Sequence, residues 1–528
     1  MLRTAPPEEH LVGRPRWSGI GRLERRLATV AAAAIAVAAL VVLVSGAPVA
    51  WLLLAITGAT SAAVLVRGVL QRRYFEPLTI VAAVTFVSFS IRPLQLFLSV
   101  DDLLSWFPAT RLDDEVLTLD QSETAQFVAQ RLTGDLEPAL TRAMAAVTLF
   151  FLLFVVGYSL PVARGLRRRI SRVGTRVAAF DAGAVVVLCL AIGLTAQLVA
   201  LVLAGGPDEA FKGQIVTKVL EAGSPLVMHF LMGFSTIGLV VWAIWRRPAS
   251  PLARIAFAAA TLEIIIFWSL VGTRTRVLLP LLMLAIVSHE IWRPWLRRTV
   301  LLGLVAGVVF GSALLSVRQA SVDESFGGAL LQAPQYVVKP VGIVNDFTEF
   351  DILFYATSLI PRERDYAYGQ GLLDAFKSYA PGALIGDKPQ STDQEFGKLV
   401  WGHSHWGGRP YTAVGDFYND FGFVGIAVCA VLFGIVGRLL LSLLRAPPGL
   451  PGRRYRVGLY AIGAAIFYIE LATDYALAIG FFIEYALPFL LAVHVFGPAL
   501  SRLRPPGREV PGEAAEPVPA DARVQVSS

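Results

Sequence analysis

Long apolar runs alternate with shorter polar connectors along most of this chain. A helix that crosses a bilayer needs about 20 predominantly apolar residues. Runs of this kind predict about twelve membrane-spanning helices. They lie near residues 27–46, 48–66, 77–100, 139–163, 177–204, 225–245, 252–271, 277–292, 299–316, 420–441, 457–476 and 478–500. The pattern therefore predicts an all-α, polytopic membrane protein.

The basic residues of the connectors indicate which side of the membrane each connector faces. Cytoplasmic loops of membrane proteins carry an excess of Lys and Arg, and here every second connector is basic. The basic connectors are Arg67–Arg73, Arg164–Arg176, Arg246–Arg254, Arg293–Arg298 and Arg445–Arg456. The alternating connectors are short or, like 101–138, acidic. Both termini are therefore predicted to be cytoplasmic, and one large, partly helical loop is predicted to be extracytoplasmic.

This orientation divides the chain into consecutive parts. A cytoplasmic tail precedes the first group of spans, and the large outer loop separates that group from the last spans. A second cytoplasmic tail follows, and its Pro, Glu and Ala content predicts disorder. The parts are residues 1–26, 27–316 (with the outer loop 101–138), 317–419, 420–500 and 501–528.

Composition supports the membrane assignment and excludes several classes of protein. The 528 residues are 55% hydrophobic and 16% charged, whereas soluble proteins carry about 25% charged residues. Cys189 and Cys429 both fall inside apolar runs, which argues against a disulfide framework and a cysteine metal site. The sequence has no Walker, dinucleotide-binding or His-Glu-x-x-His pattern, so an ATP-driven pump and a zinc protease are not indicated.

Two arginines depart from the charge rule, because Arg274 and Arg276 lie at the predicted outer end of a span. About 16 residues separate Arg276 from Arg293, or roughly 24 Å of helix, which is less than the roughly 30 Å hydrocarbon core. Either the bilayer thins locally, or both arginines lie below the outer surface in a protein-lined cavity. Snorkelling, or pairing with a nearby carboxylate, is the alternative.

Other polar residues also fall within predicted spans. Arg92 precedes a proline and marks a possible helix break. Glu470 and Asp474 are four positions apart, which predicts that they share a helix face. Asp181 and His229 are interpreted as satisfied polar groups in a helix core.

The large loop contains two helical patterns. Residues 343–360 are predicted to form an amphipathic helix that lies on the membrane surface or caps the bundle. Pro361 is predicted to end it. A second, short helix is predicted over 371–379.

Segment 401–411 combines histidines with aromatic residues. His403 and His405 would share a face of an extended segment and could ligate a metal, but no further ligand is spaced to match. A histidine here could instead act as a general base, or simply hydrogen-bond to backbone. Trp401, Trp406 and Tyr411 fit stacking against sugar rings and fit an interfacial aromatic belt equally well.

Several cations of the outer loop could bind a phosphorylated ligand. Arg forks match phosphate oxygens in bidentate fashion, and Lys adds a point charge. The simplest ligand of this kind in a membrane is a lipid pyrophosphate. The alternative is that each cation balances a carboxylate of the loop. These cations include Arg318, Arg362, Lys388 and Arg409.

Part of the chain, from about 250 to 430, carries a family resemblance. Gly272-Thr-Arg-Thr-Arg276 heads a short apolar span, and Tyr368-Gly369 and Lys388-Pro389 follow in the large loop. The most specific stretch is Val414-Gly-Asp-Phe-Tyr-Asn-Asp-Phe-Gly-Phe-Val-Gly425. Together they resemble the bacterial oligosaccharide repeat-unit (O-antigen, Wzy-like) polymerases.

The resemblance implies glycosyl transfer at the outer face of the bacterial cytoplasmic membrane. The donor would be a glycan on undecaprenyl pyrophosphate, and the acceptor would be a hydroxyl of another lipid-linked repeat unit. No cofactor, metal or nucleic acid is implied. The lipid bilayer is the surrounding partner, and a chain-length regulator is left open as a protein partner.

These implications give the candidate residues their roles. Arg274, Arg276, Arg318 and Arg409 would clamp the pyrophosphate, with Arg362 and Lys388 as further cations. His403, His405 or Asp416 would deprotonate the acceptor hydroxyl. The loop would then form the lid of a site whose floor is the junction between the seventh and eighth spans.

Three alternatives remain at this stage. An O-antigen-type ligase would transfer finished glycan to a different acceptor. A transporter or flippase of lipid-linked oligosaccharides suits the number of spans and the intramembrane charges. The large outer loop and the lack of an internal repeat weigh against it. A non-enzymatic scaffold is the third, since exposed loops can also serve binding alone.

Overall fold

The computed structural model describes residues 49–97, 136–160, 180–210, 225–246, 250–271, 274–292, 349–379, 411–445 and 452–502, with a few isolated positions between them. Within these stretches every regular element is helical. The first seven helices are α1 (Val49–Leu70), α2 (Pro77–Phe86, the π-helical turn Val87–Ile91 and Arg92–Phe97), α3 (Leu136–Ser159), α4 (Ala182–Ala204), α5 (Pro225–Trp245), α6 (Pro251–Val271) and α7 (Arg274–Ile291). A single turn, Pro207–Glu209, follows α4.

The remaining helices belong to the large loop and the last spans. They are α8 (Glu349–Leu359), α9 (Gln370–Tyr379), α10 (Thr412–Leu444), α11 (Arg453–Ala472) and α12 (Tyr475–Arg502). Helix α12 contains two π-helical turns, Phe482–Ala486 and Ala492–Phe496.

In the described part of the chain, nine helices are long and apolar enough to cross a membrane. This confirms the prediction of an all-helical, multi-pass membrane protein. The count of twelve and the orientation stay predictions, and the predicted spans 27–46 and 299–316 lie outside the described stretches. Helix α7 has 18 residues, or about 27 Å, and is shorter than the roughly 30 Å hydrocarbon core.

Two hydrophobic cores hold the helices together. One lies between α1, α2, α3, α8 and α10, and the other between α4, α5, α6, α7 and α12. Helix α11 contributes to both. Its Phe467 ring stacks on Phe433 of α10, with ring centroids 4.1 Å apart, and so links α11 to the first core.

Close helix packing depends on small residues at two crossings. A Cβ atom on Gly434 of α10 would overlap the backbone carbonyl of Phe154 in α3, and one on Gly157 of α3 would overlap that of Val431. Gly193 of α4 lies equally close to the backbone of Ser235 in α5. In lipid, small residues of this kind let helix backbones approach each other closely.

Gly434→Ala is therefore expected to destabilise the protein by roughly 1–3 kcal/mol through overpacking. The matched control is Gly58→Ala, because a Cβ there would meet Ser90 at an ordinary 3.8 Å. Thermal unfolding in detergent should show a lower melting temperature for Gly434→Ala than for Gly58→Ala. Equal melting temperatures would contradict the close packing of α3 on α10.

Helix α8 lies in the interior, so of its two predicted positions, on the membrane surface or capping the bundle, the first is wrong. Every residue from Phe350 to Leu359 is buried, and the helix packs against α3 and α10. Polar residues of this helix have partners inside the protein. Asp351 pairs with Arg92, and Ser358 donates to the carbonyl of Phe354 at 2.6 Å. The predicted end of the helix before Pro361 is confirmed.

Helix α10 begins at Thr412, although the corresponding span was predicted to begin at 420. The predicted boundary falls on a kink at Phe421 (φ −142°, ψ 17°) and Gly422 (φ 61°, ψ −147°). Positive φ at Gly422 costs little because glycine has no Cβ. The kink therefore separates residues 412–420 of α10, which we name the outer segment because they adjoin the predicted outer loop, from the longer apolar segment.

The loop before α9 occupies the backbone acceptors at this kink. In an unbroken helix the carbonyls of Asn419 and Asp420 would accept hydrogen bonds from residues 423 and 424. Here they accept hydrogen bonds from the backbone N–H groups of Ala367 and Tyr368, each at 2.9 Å. The outer loop is thus hydrogen-bonded directly to the top of α10.

Candidate functional site

The most distinctive polar group of the described structure is a cation buried between α6, α7 and α12. Nε of Arg276 donates to Oε2 of Glu484 at 3.3 Å, and the two side chains are 14% and 2% exposed. The guanidinium carbon also lies 5.0 Å from the ring centroid of Trp268 and 5.6 Å from that of Phe481. The charge is therefore held by one carboxylate and two aromatic faces.

This group lies below the end of the helix bundle. Glu484 follows Tyr475, the first residue of α12, by nine positions, which is about 14 Å of helix. It occupies a π-helical turn, a feature that is frequent at functional sites. Gly233 of α5 lies against the Glu484 backbone carbonyl. Charges at such depth are costly and usually face a bundle interior or a polar pathway.

Two further polar atoms near Arg276 are buried without a hydrogen-bond partner among the described residues. They are Nδ1 of His229 and Nε1 of Trp268. His229 lies close enough to Arg276 to interact electrostatically with its positive charge, and the ring of Trp268 contacts the guanidinium directly. A buried polar group without a partner costs about 1–3 kcal/mol. These atoms therefore indicate a place where a polar ligand or water could be accommodated.

A helix of the outer loop reaches the same place. Tyr379, the last residue of α9, packs its ring against Gly480 of α12. Burial raises the pKa of Tyr379 to about 12, and the charges of Asp474 and Glu484 add to this effect while Arg276 opposes it. We name Arg276, Glu484, Trp268, Phe481, His229 and Tyr379 the Arg276 cluster.

A second buried ion pair lies where α2 meets α8. Nε of Arg92 donates to both oxygens of Asp351 at 3.1 and 3.2 Å, and Nη2 donates to Oδ2 at 2.6 Å. Arg92 follows the π-helical turn Val87–Ile91, and the helix continues to Phe97, so the helix break predicted at this point is not present. Nearby, burial raises the pKa of Glu349 to about 7 although Ser88 hydrogen-bonds to it.

Asp416, one of the three candidate bases, is buried in the outer segment of α10. It is 2% exposed, and its Oδ2 accepts a hydrogen bond from the backbone N–H of Tyr475 at 3.0 Å. Asp474 caps α12, the helix that begins at Tyr475, because its Oδ1 accepts a hydrogen bond from the N–H of Leu477 at 2.7 Å. Through its hydrogen bond to Tyr475, Asp416 supports the start of α12.

The prediction that Glu470 and Asp474 share a helix face is wrong. Helix α11 ends at Ala472, and Asp474 has the extended conformation of an N-cap residue (φ −133°, ψ 169°). Asp181 is satisfied as predicted, because it caps α4 by accepting hydrogen bonds from Gly183 and Ala184. In contrast, Nδ1 of His229 has no hydrogen-bond partner within the described ranges.

The other predicted site residues are only partly described. Arg362 pairs with Glu363 at 3.0 Å and is 46% exposed, so it balances a carboxylate of the loop. Tyr411 is fully buried at the start of α10, away from an exposed stacking surface. Arg274 begins α7. The remaining candidates, Arg318, Lys388, Trp401, His403, His405, Trp406 and Arg409, lie outside the described residues.

Sequence reasoning missed most of the Arg276 cluster. A lone carboxylate at Glu484 in the last apolar run was a usable signal, because it is the type of residue that pairs with an intramembrane arginine. Trp268, Phe481 and Tyr379 carried no comparable signal. Aromatic residues are common both in spans and at their ends.

The Arg276 cluster combines a buried cation, aromatic faces and polar atoms without partners. An arginine in such surroundings is suited to bind an anion, because its planar fork donates two parallel hydrogen bonds. Comparison of the whole chain with protein-family models, curated proteins and solved structures gives no match.

Proposed function

We propose that this protein is a membrane glycosyltransferase that polymerises oligosaccharide repeat units carried on undecaprenyl pyrophosphate. The reaction takes place at the outer face of the bacterial cytoplasmic membrane. The observation that carries the proposal is the largely buried Arg276, held between aromatic faces beside polar atoms that have no partner among the described residues.

The chemistry requires charge stabilisation more than any cofactor. The bond between the sugar anomeric carbon and the pyrophosphate oxygen breaks, and its electron pair leaves with the pyrophosphate. The acceptor hydroxyl oxygen forms the new glycosidic bond and gives its proton to a base. Arg276 stabilises the leaving pyrophosphate, and a site with little water strengthens this interaction.

Glu484 keeps Arg276 neutralised when no donor is bound. An unpaired guanidinium in this environment would carry a large desolvation cost. An arriving pyrophosphate offers more oxygen acceptors than the one carboxylate oxygen that Arg276 contacts at 3.3 Å. The donor can therefore compete for the guanidinium without leaving it uncompensated.

Further cations and the base come from the outer loop. Outside the loop, Arg274 belongs to the same turn of α7 as Arg276, and Arg318, Lys388 and Arg409 of the loop complete the proposed set. Of the candidate bases, His403 and His405 are favoured over Asp416. The carboxylate of Asp416 is already engaged by the backbone of Tyr475.

The decisive experiment incubates purified protein in lipid nanodiscs with lipid-linked repeat units and separates the products by length. A ladder that grows by one repeat unit at a time is expected. Transfer of preformed glycan to another acceptor without lengthening would identify a ligase instead. If lipid-linked oligosaccharide crossed the bilayer of a proteoliposome with its length unchanged, a transporter would replace the proposal. No change in the substrate would leave a non-enzymatic scaffold.

A further inference from the structure

Helix α9 has three distinct faces. Gly371 and Ala375 are buried against the first turns of α12. A second face is polar and is satisfied by its own contacts, because Gln370 and Lys377 both donate hydrogen bonds to Asp374, at 2.7 and 2.9 Å. The third face is apolar.

The apolar face of α9 is largely exposed. Leu372, Leu373 and Phe376 are 41%, 56% and 57% exposed. Their spacing of one and four positions places them on one side of the helix, about 120° from both the polar and the buried faces. Exposed large apolar side chains on one face of a helix mark an interaction surface.

The segment that leads into α9 contacts the exposed apolar surface of a membrane-spanning helix. Tyr368, which precedes α9 and is 71% exposed, contacts Phe421 at the kink of α10, with ring centroids 6.4 Å apart. From Phe421 the exposed apolar surface continues along α10 through Val424 and Val428, which are 72% and 55% exposed. Helix α10 is one of the helices apolar enough to cross the membrane, so its exposed side chains face lipid.

We infer that α9 is an interfacial helix whose apolar face, Leu372, Leu373 and Phe376, inserts into the hydrocarbon of the outer lipid leaflet. Helices of this kind lie in the membrane plane with the apolar face about 5–10 Å below the headgroups. The polar face of α9, with Asp374 and Lys377, then meets water and headgroups. The occupant of the apolar face is therefore phospholipid, and the inference depends on the membrane location alone.

The test uses a fluorescent probe attached to single cysteines. Cys189 and Cys429 are first replaced by alanine. An environment-sensitive nitrobenzoxadiazole label is then placed at Leu373→Cys or Phe376→Cys. Asp374→Cys and Lys377→Cys serve as matched controls one position away on the polar face. Each variant is reconstituted into nanodiscs, and only samples with a single size-exclusion peak are compared.

Two quenchers report the surroundings of each label. A phospholipid with a doxyl group near the headgroup end of its acyl chain should quench the labels at 373 and 376 several-fold more strongly than those at 374 and 377. Iodide in the buffer should show the opposite order. If iodide quenched the label at 373 as strongly as the label at 374, the apolar face would be exposed to water, and the inference would be overturned. If the labels at 373 and 376 were protected from both quenchers, another part of the chain or a second copy would cover this face, and the inference would be overturned. If either apolar-face variant fails to fold, Leu372→Cys replaces it.

Discussion

Arg276→Ala should reduce glycan elongation about 100-fold or more, so that single repeat units accumulate. The substitution removes the cation that we propose to stabilise the leaving pyrophosphate, and a missing preorganised donor of this kind typically costs a factor of about 100 or more. The product ladder from lipid-linked repeat units measures the effect. Arg276→Lys should retain partial activity, because lysine keeps the charge but loses the planar fork.

The control for this prediction must separate catalysis from folding. Arg276→Ala alone leaves Glu484 buried without its partner, which can destabilise the protein by about 3–5 kcal/mol. The double variant Arg276→Ala/Glu484→Gln removes both charges, so it should recover thermal stability while remaining unable to elongate glycan. If the double variant recovered elongation together with stability, Arg276 would have a purely structural role.

A matched arginine outside the proposed site completes the design. Arg445 pairs with Glu76 at 2.9 Å and is 35% exposed, in a connector predicted to be cytoplasmic. Arg445→Ala should leave the product ladder unchanged. Loss of elongation in this variant as well would mean that the assay reports general damage to the protein.

Asp351→Ala should have the largest effect on stability, about 3–5 kcal/mol, because it leaves Arg92 buried without its carboxylate. The pair joins α8 to the π-helical turn of α2, and its side chains are 2% and 8% exposed for Asp351 and Arg92. Thermal unfolding in detergent, followed by tryptophan fluorescence, measures the change. The exposed pair of Asp374 and Lys377 provides a comparison, since Asp374→Ala should cost no more than about 1 kcal/mol.

A double replacement tests the cause of this loss. Arg92→Met/Asp351→Leu removes both charges and keeps similar volumes, and buried ion pairs replaced in this way are often neutral or stabilising. The double variant should therefore be clearly more stable than Asp351→Ala. Equal instability of the two variants would show that packing of α8, and not the unpaired charge, sets the cost.

Patterns within single helices were the part of the fold that the sequence could predict. Apolar run lengths predicted the nine helices of the described stretches that are long and apolar enough to cross a membrane, and the short run after Arg276 forms α7, which is not one of the nine. The loop helix predicted over 371–379 is confirmed as Gln370–Tyr379. Such features depend on neighbouring residues and on known periodicities.

Contacts between distant residues could not be predicted. The surface position predicted for α8 failed because Arg92, which neutralises Asp351, lies 259 positions away in the sequence. Likewise, Arg276 and Glu484 are separated by 208 positions. Burying any one of these charged side chains alone would cost free energy. Only the tertiary structure shows which opposite charge offsets that cost. The start of α10 was misplaced for a different reason, since one glycine kink within a continuous helix leaves little trace in hydropathy.

The kink at Gly422 makes the shape of α10 and the docking of the outer loop two coupled equilibria. The carbonyls of Asn419 and Asp420 are acceptors for which two sets of donors compete, the amides of Ala367 and Tyr368 and those of a straight α10. Any condition that straightens α10 weakens the hydrogen bonds from Ala367 and Tyr368 to this helix. Any condition that detaches the loop favours a straight α10. By linkage the two free-energy changes are equal, so the top of this helix and the loop that precedes α9 respond as a single unit.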